Sequence, residues 1–422
     1  MARWFYTVII YLITPLILLR LGYRASKAPA YRRRIAERFG LFTAEDVTDG
    51  IWIHSVSVGE TIAAAPLVKR LQQQYPRVPI IVTTMTPTGS ERVRALFGDS
   101  VFHIYAPYDL PGSIGRFLDR IRPRLLVIME TELWPNTIYY SRKRNIPVLL
   151  ANARLSAKSA AGYRRLLPLT RPMLASLSKV VAQTPADGER FLGLGLCAAQ
   201  LVVSGSIKFD IAISDELKAE ARDLKALWTN AGQRLVILAA STHDREDEIV
   251  IEAFKRVLAE CPRMLLVLVP RHPERFDRVA ALSSQHGLIT LRRSTAERVD
   301  NDTQVLIGDS MGELLLFYGC ADICFVGGSL VDTGGHNTLE PAAWGVPIIT
   351  GQSDYNFLHI SRLLQDQNAL FKVSNPATLA ATVKELANSR DKRTAAGANA
   401  LAVIEANRGA LDRLVSVVDN YL

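Results

Sequence analysis

Ile51-Trp52-Ile53-His54-Ser55-Val56-Ser57-Val58-Gly59-Glu60 sets a pattern that recurs along the chain. An apolar, β-branched and aromatic run ends in small polar residues, and Thr61–Tyr75 then alternates apolar and basic residues at helical spacing. A strand with no polar alternation is buried on both faces, as in a parallel sheet covered by helices. The same unit recurs along the first half at Ile80–Thr83, Leu125–Met129, Val148–Leu150, Val180–Gln183 and Leu201–Val203. The pattern breaks at a charged helix around Asp210–Trp228. It restarts with Leu235–Ala240, Leu265–Val269, Leu288–Leu291, Val305–Ile307, Ile323–Val326 and Pro347–Thr350, and Ala377–Leu422 reads as wholly helical. The reading is therefore α/β, with two Rossmann-like doubly wound domains facing a cleft and ligands at the carboxyl ends of the strands. The expected boundaries are 1–22 for an N-terminal anchor, 23–210 for the first domain, 211–230 for a linker helix, and 231–422 for the second domain with C-terminal helices packing back.

The chain has 422 residues, enough for two domains, and its 49% hydrophobic and 22% charged residues exclude a disordered class. Trp4 to Leu19 carries no charge and is slightly shorter than the ~20 residues that cross a hydrocarbon core. No small-residue cleavage site follows, so an uncleaved anchor helix is expected, either spanning or lying shallowly in lipid. Its removal is expected to weaken membrane association while leaving much of the chemistry on a detergent-dispersed substrate. Arg20, Arg24, Lys27, Arg32, Arg33, Arg34 and Arg38 come directly after it, within a net charge of +9. That position favours an anionic membrane surface over nucleic acid and puts the rest of the chain on the cytoplasmic side. Cys197, Cys261, Cys320 and Cys324 lack zinc-site spacing and read as buried thiols in a reducing compartment.

Candidate chemistry sits just past the strands. Glu60 follows the first strand, where a carboxylate can act as general base or can complement the positive end of a helix. On pattern alone the two are even. Glu130 and Glu132 follow another apolar run, in Met129-Glu130-Thr131-Glu132-Leu133-Trp134-Pro135-Asn136, where they face solvent, a cation or a substrate. Lys208 follows the last strand of the first series. In the second half, Pro270 and Arg271 begin a loop with guanidinium forks suited to phosphate. Met311, Gly312 and Glu313 open a helix with free N–H groups, and Asn337, Thr338, Leu339 and Glu340 follow two glycines. Three such loops in one sheet point to a nucleotide site. No P-loop motif occurs, the acidic run Asp244–Glu248 reads as an exposed helix start, and His243, His272 and His336 have no metal-ligand spacing.

Together the strings HSVSVGE, METELWPN, SGSIKFD, LVPRHPER, GDSMGEL and GGHNTLEPAAWGVP resemble the bacterial 3-deoxy-D-manno-octulosonic acid (Kdo) transferases over essentially the whole chain. The resemblance implies a GT-B fold and inverting transfer of Kdo from CMP-Kdo to the 6′-hydroxyl of lipid IVA, a lipid A precursor of the inner membrane. It implies no metal at the catalytic centre, no cofactor beyond the donor substrate, and no nucleic-acid partner. By motif, Glu60 is the base, Glu130 and Lys208 stabilise the transition state, and Pro270, Arg271, Met311–Glu313 and Asn337–Glu340 bind CMP. Glu132 is not carried over in the same way, and whether it does more than support Glu130 stays open. The rival expectations are a UDP-sugar transferase and a non-catalytic binding protein using the basic charge.

Overall fold

The computed structural model describes residues 1–44, 47–295 and 298–422. The chain forms two compact units, Met1–Asp210 with Arg408–Leu422, and Ile211–Asn407.

The first unit is built on seven parallel strands: β1 (Ile51–His54), β2 (Ile80–Thr84), β3 (Phe102–Tyr105), β4 (Leu125–Met129), β5 (Val148–Ala153), β6 (Lys179–Ala182) and β7 (Leu201–Val203), in the order β3-β2-β1-β4-β5-β6-β7. Strand order reverses at β1, which pairs with β2 on one side and β4 on the other. Helices covering both faces bury Ile51, Val127 and Leu149 on one side of the sheet and Trp52, Leu126 and Leu150 on the other. The second unit repeats the plan with β8 (Leu235–Thr242), β9 (Met264–Pro270), β10 (Thr290–Arg292), β11 (Val305–Ile307), β12 (Ile323–Val326), β13 (Ile348–Thr350) and β14 (Leu370–Lys372). Their order is β10-β11-β9-β8-β12-β13-β14, with the reversal at β8.

Twelve strands are those the apolar runs mark; β3 and β14 are not. Both are edge strands with partly exposed residues, and His103 in β3 and Lys372 in β14 interrupt their apolar runs.

Two expectations about boundaries change. The segment expected to link the domains contains the helix Asp215–Thr229, which belongs to the second unit and packs on the helix Leu314–Cys320. Arg408–Leu422, expected in the second domain, belong to the first unit. There the helix Ala410–Asp419 buries Ala410, Leu414, Val415 and Val418 against the β1 side of the sheet. Asp210 fixes its start, accepting from the N–H groups of Gly409 and Leu411, both at 2.6 Å.

The N-terminal helix (Ala2–Lys27) is long and apolar enough to cross a membrane, by its length and composition. Trp4, Phe5, Ile9, Leu12, Leu16 and Leu19 are exposed on it. The basic stretch that follows divides. Arg20, Arg24, Lys27, Arg32 and Arg33 stay exposed, but Arg38 is buried, donating to the Met85 carbonyl oxygen at 3.0 Å. Arg34 pairs with Glu37 at 2.6 Å. Among the cysteines, Cys320 and Cys324 are buried as expected, whereas Cys197 is exposed.

Candidate active site

In the first unit, Glu60 occupies the first turn of the helix Val58–Gln74, directly past β1. Ser57 caps that helix, and the two side chains reciprocate. Glu60 N–H donates to Ser57 Oγ at 3.3 Å, and Ser57 Oγ donates to Glu60 Oε1 at 2.7 Å. Glu60 Oε2 also accepts from Val56 N–H at 2.8 Å. The helix-complement reading is therefore correct as geometry. It does not exhaust the residue, because Glu60 is only 7% exposed. Burial pushes its carboxyl from 4.5 up to about 7, overcoming the bonds from Val56 and Ser57, and Glu132 and Glu130 add like-charge repulsion.

Those two carboxylates come from the loop past β4, the strand beside β1. Glu130 has φ 55, a left-handed conformation uncommon for a non-glycine residue, and it points to a held geometry. Its Oε1 meets Lys208 Nζ at 3.1 Å, so two residues 78 positions apart form one ion pair. Glu132 Oε2 accepts from Trp134 Nε1 at 3.0 Å, and burial together with the Glu130 charge raises its carboxyl. The Trp134 ring stands edge-on to His54 at 4.7 Å. His54 is buried and pushed down to about 3, hence neutral. Lys208 lies in a short helical turn, Ile207–Phe209, flanked by the Asp210 contacts to the C-terminal helix.

A carboxyl titrating near 7 makes the fold sensitive to pH. The native state holds this proton more tightly than the unfolded chain, so Glu60 removes stability as pH rises from 4.5 to about 7 and no more above that. Relative to wild type, Glu60→Gln is expected to be stabilised at pH 8 by up to about 3 kcal/mol and to be near-neutral at pH 4.5. Thermal melts at the two pH values check this; an equal difference at both would contradict the buried-acid account.

In the second unit, the expected nucleotide loops follow β9, β11 and β12. Arg271 is exposed, and its guanidinium makes no ion pair among the described residues. Arg275 from the same loop is instead structural, ion-paired with buried Asp247. Met311 is 71% exposed, Gly312 has φ 90, and Glu313 is held by Arg293 Nη2 at 2.9 Å and by Ser310 Oγ. Asn337 Nδ2 donates to Glu340 Oε1 at 3.0 Å, and its Oδ1 accepts from Leu339 N–H at 3.1 Å. Burial raises the Glu340 carboxyl, opposed by the Asn337 bond and the Arg271 charge. Thr338 is buried, with no hydrogen-bond partner for its hydroxyl among the described residues.

The acidic run Asp244–Glu248 is not the exposed helix start expected. Glu246 and Asp247 are buried, and Glu246 accepts from the N–H groups of His243, Gly328, Ser329 and Leu330 at 2.6 to 2.9 Å. It fixes the turn after β12 against the turn after β8. His243 and His336, unremarkable by spacing, meet Nε2 to Nε2 at 2.7 Å, with His272 beside them. Among the described residues, no group of three or more His, Cys, Asp or Glu is placed to hold a metal ion.

Residues 33–211 match the family described as 3-Deoxy-D-manno-octulosonic-acid transferase (kdotransferase), and residues 234–403 match glycosyl transferases group 1. The 3-deoxy-D-manno-octulosonic acid transferase of Haemophilus influenzae is 47% identical over 425 residues, spanning 100% of this chain and 99% of that one. This chain belongs to the Kdo transferase family. The 3-deoxy-D-manno-octulosonic acid transferase of Bordetella pertussis, 36% identical over 435 residues, spans 100% of both chains. Among solved structures, the UDP-GlcNAc 2-epimerase of Neisseria meningitidis aligns with TM-score 0.57 over 88% of this chain and 100% of its own. At 14% identity that likeness is one of fold alone, the GT-B pairing of Rossmann-like domains. As a Kdo transferase the chain is a glycosyltransferase of lipopolysaccharide biosynthesis.

Proposed function

We propose that this Kdo transferase moves Kdo from CMP-Kdo to the 6′-hydroxyl of lipid IVA, inverting the anomeric configuration and releasing CMP. The observation that carries the reading is Glu60: a buried carboxyl raised to about 7, beside the Glu130–Lys208 pair at the strand reversal of the first unit. A base titrating there is ionised often enough at neutral pH to accept a proton and basic enough to hold it. In the proposed step the acceptor hydroxyl gives its proton to Glu60, and its oxygen bonds to the anomeric carbon. The bond from that carbon to the cytidylate phosphate oxygen breaks on the opposite face, and CMP leaves with the electron pair.

Lys208 favours negative charge on the sugar carboxylate or the leaving phosphate, and Glu130 favours positive charge developing at the anomeric carbon. In the second unit, Arg271 is free to fork onto the phosphate, Glu340 and Asn337 are poised for ribose hydroxyls, and Met311–Glu313 and Thr338–Leu339 complete the donor loops. The proposed step uses side chains and substrates alone, without a metal. The N-terminal helix, apolar outside and followed by exposed Arg20, Arg24, Lys27, Arg32 and Arg33, suits the cytoplasmic face of the inner membrane, where such an acceptor resides. Product inhibition tests the donor: CMP is expected to compete with the sugar nucleotide and UDP is not. Inhibition by UDP but not CMP would overturn the assignment.

A further inference from the structure

The first turns of the N-terminal helix carry Arg3, Tyr6 and Thr7 within an otherwise apolar segment. Polar groups are expensive in a helix surrounded by lipid. Here they face the protein. Arg3 Nη1 and Thr7 Oγ1 donate to Asn136 Oδ1 at 3.0 and 3.1 Å, and the Tyr6 hydroxyl donates to Asp109 Oδ2 at 2.9 Å. The Arg3 guanidinium also lies 3.5 Å over the Tyr139 ring.

Asp109 and Asn136 form a hub. Asp109, itself buried, takes three further bonds from the start of the helix Pro135–Lys143: Asn136 N–H at 2.9 Å, Thr137 N–H at 2.6 Å and Thr137 Oγ1 at 2.7 Å. Asn136 Nδ2 returns a bond to the Asp109 carbonyl oxygen at 2.8 Å. That helix has no side-chain cap of its own at Trp134, so Asp109 supplies the acceptors its first turn needs. The residues just before it, Glu130–Trp134, are the loop bearing Glu130 and Glu132. One end of the loop is tied to the sheet, where Glu130 N–H donates to the Ala151 carbonyl oxygen at 2.9 Å. The other end runs into the helix start that Asp109 holds, and between the two ends Thr131 Oγ1 donates to the Arg154 carbonyl oxygen and Leu133 is buried in the core.

We propose that Tyr6 is a positioning residue for transfer: with Arg3 and Thr7 it locks the Asp109–Asn136 hub, and through it the loop that sets Glu130 and Glu132 beside Glu60. This rests on the proposed roles of Glu60 and Glu130. The helix that meets the lipid is thereby wired to the reacting carboxylates, and deleting residues 1–20 lowers turnover even on detergent-dispersed acceptor. That reverses the expectation drawn from sequence alone.

The test is Tyr6→Phe in the full chain, purified in detergent and assayed with CMP-Kdo and dispersed lipid IVA. Misplacing a loop in this way is expected to lower kcat about tenfold with KM for the acceptor little changed. The acid limb of kcat/KM is also expected to move to lower pH, because a loosened loop admits water to Glu60 and withdraws two like charges. Arg3→Ala is expected to behave likewise, and Arg3→Lys, which keeps a donor for Asn136, to recover most of the rate. An unchanged kcat and acid limb in Tyr6→Phe overturns the proposal. So does a lower yield of folded enzyme whose surviving fraction keeps the wild-type limb, since Tyr6 is then a stability residue only. Wild-type protein that transfers no Kdo contradicts the functional reading instead.

Discussion

Glu60→Gln is expected to lower kcat by roughly 10²–10⁴-fold, the range a general base contributes, while leaving the fold and CMP binding intact. Glutamine preserves the shape and still offers an oxygen to Val56 N–H, which now donates to Glu60 Oε2 at 2.8 Å. What it loses is the ability to take the acceptor's proton. A residue serving only as a capping partner of Ser57 would show little rate effect, because an amide caps nearly as well. Steady-state rates and CMP titration on the same preparation separate the two. Normal turnover by Glu60→Gln would end the base assignment, and loss of both rate and CMP affinity would indicate damage beyond one proton acceptor.

Lys208→Ala is expected to lower kcat by about 10²-fold, as removal of one charge-stabilising group does in other enzymes. The ion pair at 3.1 Å gives this prediction a second edge. Without Lys208, Glu130 loses its counter-charge beside Glu60 and Glu132, and the cluster becomes more acidic in composition and more repulsive. The Glu60 carboxyl should then rise further, carrying the acid limb of the rate profile to higher pH. Combining Lys208→Ala with Glu130→Gln removes both charges of the pair, so its effect should fall well short of the product of the single effects. Rates for the two single variants and the double variant, measured across pH 5 to 9, check both points. Multiplicative losses would mean that Lys208 and Glu130 act independently.

The two sheets were legible because parallel strands buried on both faces leave unbroken apolar runs, whereas β3 and β14 are interrupted by His103 and Lys372. Glu60 was legible as a residue past a strand. Its environment was not, because the repulsion from Glu130 and Glu132 depends on β4 lying beside β1, a pairing that spans more than 70 positions. Glu246 was misread for the same reason. Four acidic residues within Asp244–Glu248 look solvated, yet Glu246 is buried to serve N–H groups of a turn some 80 residues on. The last helix was read correctly as helical, but its place in the first unit comes from partners far along the chain, among them Asp210 at its start and the core residues it buries. Likewise nothing local in the uncharged segment Trp4 to Leu19 singles out Tyr6 and Thr7, whose partners Asp109 and Asn136 lie more than 100 positions on. Local pattern reads the elements; the residues that hold loops in place are paired across the chain and leave little local trace.

Kdo transfer to lipid IVA is tested by incubating the purified chain with CMP-Kdo and lipid IVA and analysing the lipid product by mass spectrometry and NMR. The expected product carries Kdo at the 6′-oxygen with inverted anomeric configuration, and CMP is released. Retained configuration, attachment elsewhere, or lipid IVA unmodified by active, folded protein would contradict it.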